Sequence, residues 1–171
     1  MSLLITNLKD QSEIILNELI NRLSEINSRL NITNDLSVKI RTNVRAKNNK
    51  SYWCIIEGLF PAIMPVHYEI LIKYEPENNS DIHIDFHIED KNVHPQFVKE
   101  IEKISLNLKI NNRNVLFDEK WWNNNGKNHL GRFTISINKN EHVTPECVVD
   151  CMIELIEKTY PQILELYNKY F

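Results

Sequence analysis

The stretch DIHIDFHIED, residues 81–90, decides how this chain folds. Ile82, Ile84, Phe86 and Ile88 alternate with His83, Asp85, His87 and Glu89. A period of two belongs to a β-strand, whose successive side chains point to opposite faces. The apolar face must be core, and the other face carries imidazoles and carboxylates. The preceding stretch HYEILIKYE, 67–75, has the same character, with Tyr68, Ile70 and Ile72 on one side and His67, Glu69 and Lys73 on the other. The turn residues PENNS join the two, which predicts a hairpin. A register that pairs Lys73 with His83, Glu69 with His87 and His67 with Glu89 collects all these polar groups on the side away from the core. On this reading the polar row is exposed or covered by a partner, and His87→Ala shifts stability by no more than about 0.5 kcal/mol, as a surface change does.

Upstream, Leu36, Val38, Ile40 and Val44 alternate with Ser37, Lys39, Arg41 and Arg45, again a strand. SYWCIIEGLF, 51–60, is apolar on both faces, as a central strand is, and Pro61 and Pro65 end it. Four strands with short links predict an antiparallel meander. Before them, Leu16, Leu19, Leu23, Ile26 and Leu30 form one helical stripe, with Glu18–Arg22 and Glu25–Arg29 as i,i+4 pairs on its wet side. After them, Pro95 opens a helix with Phe97, Val98, Ile101, Ile104 and Leu108 on one side. A short strand is expected near Val115–Phe117 and a longer one at GRFTISINK, with Phe133, Ile135 and Ile137 inward. Thr144 caps a last helix with Pro145 at its first position, and Pro161 is expected to kink or restart it. The expected fold is a single α+β domain over 1–171. It is a two-layer sandwich: an antiparallel meander sheet of about five to six strands, with about three to four helices packed mainly on one face.

Composition narrows function by exclusion. Hydrophobic residues are 42% and charged residues 25%, ordinary for a soluble domain, and the net charge of −3 calls for neither DNA nor an anionic membrane. Gly58, Gly126 and Gly131 are the only glycines, and neither GxGxxG nor GxxxxGK[ST] occurs, so no phosphate-cradling loop is expected. MSLLITNLKDQSE has too short an apolar run for a signal peptide, and no later segment has the length of a membrane span; a cytoplasmic location is expected. Three cysteines suit a reduced compartment. Cys147 and Cys151 share a helix face and read as packing residues, and Cys54, inside YWCII, reads as a core thiol rather than a nucleophile.

The polar row admits three readings: a solvated sheet face, a divalent-metal site, or a recognition surface. Residues i and i+4 on a strand lie roughly 13 Å apart, so His83 and His87 cannot share one ion; a site must combine strands, for example His87, Asp85 and Glu69. Glu89-Asp90-Lys91 matches the E-x-K element of the restriction-endonuclease fold, with Asp85 or Asp81 as upstream acid. That acid lies on the same strand rather than on a separate turn, which weighs against the enzyme. No cofactor and no metal are assigned, and no catalytic residue. The expected recognition residues are Glu69, Lys73, His83, Asp85, His87 and Glu89, with Arg41, Arg45, Trp121 and Trp122.

KIRTNVRAKNNK, 39–50, holds five basic residues and no acid, just before Tyr52 and Trp53. Lys39, Arg41, Arg45 and Lys47 therefore form an alternative nucleic-acid surface, with Trp53 or Trp121 to stack bases. EKWWNNNGKNHLGR, 119–132, repeats the theme, although tryptophans often cap a core. Residues 141–171 carry six acids against two lysines, so the surface is polarised.

The layout of residues 66–171 resembles accessory α+β domains attached to bacterial restriction-like nucleases. The shared features are paired strands ending in an acid, a helix, a tryptophan-bearing loop, the arginine-led strand GRFTISI and a final helix of the MIELIEKTYP kind. The resemblance carries over no catalytic residue. In type, the chain is also similar to small bacterial immunity proteins and phage-encoded inhibitors. The resulting expectation is a non-enzymatic binding protein that covers a macromolecular partner, a toxin or defence nuclease. A nucleic-acid-binding accessory domain is the alternative, and a metal-dependent nuclease-like enzyme the second alternative. Oligomeric state is left open.

Overall fold

A computed structural model describes residues 8–44, 50–61, 66–74, 81–89, 93–118, 123–124, 127–128, 131–138 and 143–171. Two helices, α1 (Leu8–Asn21) and α2 (Leu23–Leu30), precede four strands: β1 (Ser37–Val44), β2 (Lys50–Glu57), β3 (Val66–Tyr74) and β4 (Asp81–Ile88). Helix α3 (Pro95–Ser105) follows, then the short strand β5 (Leu116–Asp118), the strand β6 (Gly131–Asn138) and the long helix α4 (Pro145–Tyr170). The six strands form one sheet in the order β1-β2-β3-β4-β6-β5, antiparallel throughout. Two-residue ribbons, Lys109–Ile110 with Arg113–Asn114 and Asn123–Asn124 with Lys127–Asn128, stand apart from it. The meander is as the alternation predicts, and β6 returns to lie beside β4.

Alternation also assigns the core face correctly. Tyr68, Ile70, Ile72, Ile84, Phe86, Ile88, Phe133, Ile135 and Ile137 are buried in one apolar cluster with residues of α1–α4, and Ile82 packs at its margin. Two buried hydrogen bonds help tie α4 to the rest: Tyr68 Oη and Thr159 Oγ1 lie 2.8 Å apart, and Tyr160 Oη donates to the Leu59 carbonyl at 2.8 Å. The α3 and α4 starts are built as proline at the first helical position requires. Thr144 Oγ1 accepts from the Cys147 amide at 3.3 Å, and His94 Nδ1 accepts from the Gln96 amide at 3.1 Å. Among the described residues no helix is long and apolar enough to cross a membrane.

Four local expectations change. The hairpin register is two residues away from the one drawn from sequence: Lys73 faces Asp81, Leu71 faces His83, Glu69 faces Asp85 and His67 faces His87. A shift of two leaves every side chain on its expected face, because the strand period is two. The N-terminal helix divides at Arg22 while its apolar stripe stays on the core, and the Arg22 guanidinium reaches Glu25 (2.7 Å) and Asp150 of α4 (2.5 Å) rather than Glu18; Arg29 does pair with Glu25. Helix α4 runs unbroken over 26 residues through Pro161, so no restart occurs. Ile40 is 44% exposed because β1 is an edge strand.

Phe86 touches Phe60, Tyr68 and Phe133 with ring centroids 5.0–6.1 Å apart, so it anchors the contact between sheet and helices. Phe86→Ala is expected to cost about 3–5 kcal/mol, the range for a buried phenylalanine, read as a lower urea midpoint at unchanged slope.

Candidate functional site

Among the described residues, no helix packs on the second face of the sheet, yet its centre is buried. Registers define the rows across it. Ile55, Glu69, Asp85, Thr134 and Leu116 form one row from β2 to β5. His67, His87, Arg132 and Asp118 form the next, from β3 to β5. Trp53, Leu71, His83 and Ser136 lie on the other side of the first row. Glu69, His83, Asp85, His87, Arg132 and Thr134 are all buried. The expectation of an exposed polar row is therefore corrected for Glu69, His83, Asp85 and His87. Their neighbours Ile55 and Leu71 are buried too, so the polar centre has an apolar wall toward β2. His87→Ala is not a surface change, and the near-neutral cost expected from sequence does not apply.

Inside this centre the charges are shared out in two groups. Asp85, with no exposed surface, accepts a hydrogen bond at Oδ2 from Arg132 Nη1 at 2.9 Å. Its Oδ1 has no hydrogen-bond partner. Burial pushes the Asp85 carboxyl up to about 7; Arg132 pulls against that rise and Glu69 adds to it. Glu69 belongs to the second group, which occupies the end of the β3–β4 ladder. Its Oε2 lies 3.1 Å from His67 Nε2, and its Oε1 lies 3.7 Å from His87 Nδ1. Glu89 reaches back to the same histidines, with Oε1 3.5 Å from His87 Nδ1 and 4.0 Å from His67 Nε2. The two imidazole rings stand nearly perpendicular, 5.5 Å between centroids. His83 is separate: its Nδ1 is 3.0 Å from Ser136 Oγ, and burial, then Lys73 and Arg132, push its pKa down to about 3.

The remaining sequence-derived residues are not in this centre. Lys73 is half-buried beside Asp81. Arg41 is exposed on β1 opposite Trp53, and Lys39 is exposed 3.4 Å from Glu57. Arg45, Lys47, Lys91, Trp121 and Trp122 lie outside the described residues. Cys54 and Cys151 are held as thiols by burial. Burial pushes Cys54 up to about 12 and Cys151 to about 11, and Asn111 Nδ2 donates to Cys147 and Cys151 at 3.5 and 3.7 Å. His67, Arg132 and Thr134 are members of the centre that the sequence-derived set omits. GRFTISI held the signal, since Arg132 and Thr134 alternate with Phe133 and Ile135 and so point away from the helices. Their place beside Asp85 and His87 depends on β6 pairing with β4, which no local pattern states.

No protein-family model matches this chain, and neither does any curated protein or solved structure. The class defined by fold and centre is an α+β protein with helices on one sheet face and a buried ionisable cluster on the other.

Removing one member of a buried ion pair leaves the other charge stranded, at a cost of about 3–5 kcal/mol. Arg132→Met is expected to fall in that range by urea unfolding. Arg132→Met combined with Asp85→Leu should cost less than Arg132→Met alone, a non-additivity that a double-mutant cycle measures. The pH dependence of His83 has a definite sign. Its folded pKa is below 6.5, so as pH falls from there toward about 3 only the unfolded chain gains the proton, and stability drops. Asp85, raised from 3.8, acts oppositely over its own window and offsets part of this loss. His83→Leu should therefore lose less stability than the natural chain between about pH 7 and about pH 4, the Asp85 contribution being common to both.

Proposed function

We propose that the protein is a non-enzymatic binding protein that covers a macromolecular partner with the helix-free side of its sheet. The carrying observation is the pattern of exposure on that side. A buried charged centre is surrounded by exposed groups of both signs: Lys39, Arg41 and Glu57 toward β1, and Glu89 at the end of β4. A rim of mixed sign suits a protein partner with complementary charges and fixes the register of docking. A uniformly negative nucleic-acid backbone is served less well, since Lys39 is already engaged by Glu57. The partner class is a bacterial toxin or defence nuclease, by the likeness in type to immunity proteins and phage-encoded inhibitors, and the location is cytoplasmic. In this reading the buried Glu69, His83, Asp85 and His87 hold the face rigid, while contacts come from the rim and from Arg41.

The test is co-expression with the product of each adjacent gene, followed by size exclusion and a growth-protection assay. A stable complex that Arg41→Glu with Glu57→Arg weakens, without change in melting temperature, is expected. A chain that runs alone beside every neighbour and protects no cell ends this reading. A salt-sensitive gel shift with DNA or RNA, falling by roughly one log unit in affinity per log unit of salt for each phosphate neutralised, replaces it with the nucleic-acid alternative.

A further inference from the structure

Each strand of the β3–β4 hairpin carries a His-x-Glu triplet, His67-Tyr68-Glu69 and His87-Ile88-Glu89. Residues two apart on a strand share a face, and the register sets His67 directly against His87. Two imidazoles and two carboxylates thus converge at one end of the ladder. We propose that these four side chains bind one divalent transition-metal ion of the zinc class.

Geometry carries the proposal first. One ligand atom from each of His67, His87 and Glu89 lies within 4.8 Å of the other two. Bonds of about 2.1 Å in a tetrahedral arrangement separate ligand atoms by about 3.4 Å, so a contraction of about 1.4 Å at most brings these three to that spacing, and Glu69, 3.1 Å from His67 Nε2 and 3.7 Å from His87 Nδ1, completes the set. Glu89 follows the last residue of β4, and its side chain is 35% exposed. That makes it the ligand best able to move inward. It also marks the entry path, because Glu69 and His87 are closed off from solvent.

An independent observation points to the same place. Glu69 is 2% exposed, and its Oε1 has no hydrogen-bond partner. The 3.7 Å from that oxygen to His87 Nδ1 is too long for a hydrogen bond. A buried carboxylate oxygen without a donor is costly, and an ion between Glu69 and the histidines removes the deficit. The opposed acids Glu69 and Asp85 sharpen the need for positive charge there. Nitrogen and oxygen donors without thiolate select zinc, cobalt, nickel, iron or manganese, whereas calcium and magnesium prefer oxygen alone. The set differs from His87, Asp85 and Glu69, because Arg132 occupies Asp85. It also departs from the expectation of no metal.

The experiment uses the purified full chain after removal of metals with a chelator. Zinc and cobalt chlorides are added separately in calorimetric titrations, with cobalt absorption and melting temperature as further readouts. One ion per chain is expected, with a melting temperature that rises with free ion concentration. Glu89→Gln sits at the exposed rim and should keep the fold. It should weaken binding by at least about tenfold, since losing a ligand costs no less than losing an outer-shell partner. His67→Gln combined with Glu89→Gln should abolish the cobalt signal, while His94→Gln, outside the cluster, should leave it intact. Failure of both zinc and cobalt to bind or raise the melting temperature overturns the proposal. Undiminished binding by folded Glu89→Gln and by the double variant overturns it equally, by placing the ion elsewhere. No partner is needed, so this result stands apart from the co-expression test.

Discussion

The ion pair between Asp85 and Arg132, 2.9 Å long and closed to solvent, sets the terms for the rest of the sheet. It crosses from β4 to β6, two strands separated in sequence by α3 and β5. Apolar contacts alone would tolerate a slip of two residues between these strands, since Phe133 and Ile135 would still face the helices. The charges do not tolerate it, because the slip leaves a carboxylate and a guanidinium buried apart. A slip of one is worse, as it drives Arg132 into the aromatic cluster around Phe86 and Phe133. The pair thus penalises every other register, a specificity role that some buried ion pairs play.

A second close approach helps hold β6 in place at the same point. Gly131 precedes Arg132, and the ring of Phe117 on β5 lies so near that an added Cβ would meet Phe117 Cζ at 2.6 Å. The aromatic ring takes the space a side chain would need. Glycine here serves the packing of the short edge strand against β6, and Arg132 enters the centre from the next residue.

Strict alternation made most of the fold legible. In residues 67–75 and 81–89 it fixes which side chains are core, whatever the exact register, and the proline-led starts of α3 and α4 announce themselves. The register itself was not legible: PENNS is compatible with more than one hairpin closure, and its residues lie outside the described ones. Burial of the second face was not legible either. His, Asp and Glu between isoleucines read as a wet face, because alternation reports which side a residue takes and nothing about what happens on that side. Only the long-range return of β6 brings Arg132 to Asp85, and that pairing has no local signature. Trp53, Ile55 and Leu71, apolar residues on the polar side, were the available hint that the face is not simply solvated.

The allocation of charge in the centre follows from this topology. Asp85 and Glu69 are direct cross-strand neighbours, and like charges so placed repel. Arg132, arriving on β6, lies next to β4, so its Nη1 reaches Asp85 and not the carboxylate one strand further away on β3. The ion contacts of Glu69 run instead to His67 and His87. The strand order therefore divides the face into a closed half, where Arg132 is the counter-ion of Asp85, and an open half, where Glu69 and Glu89 face His67 and His87. Glu89 stands at the open half and meets solvent, so this is the part of the centre that solutes can reach.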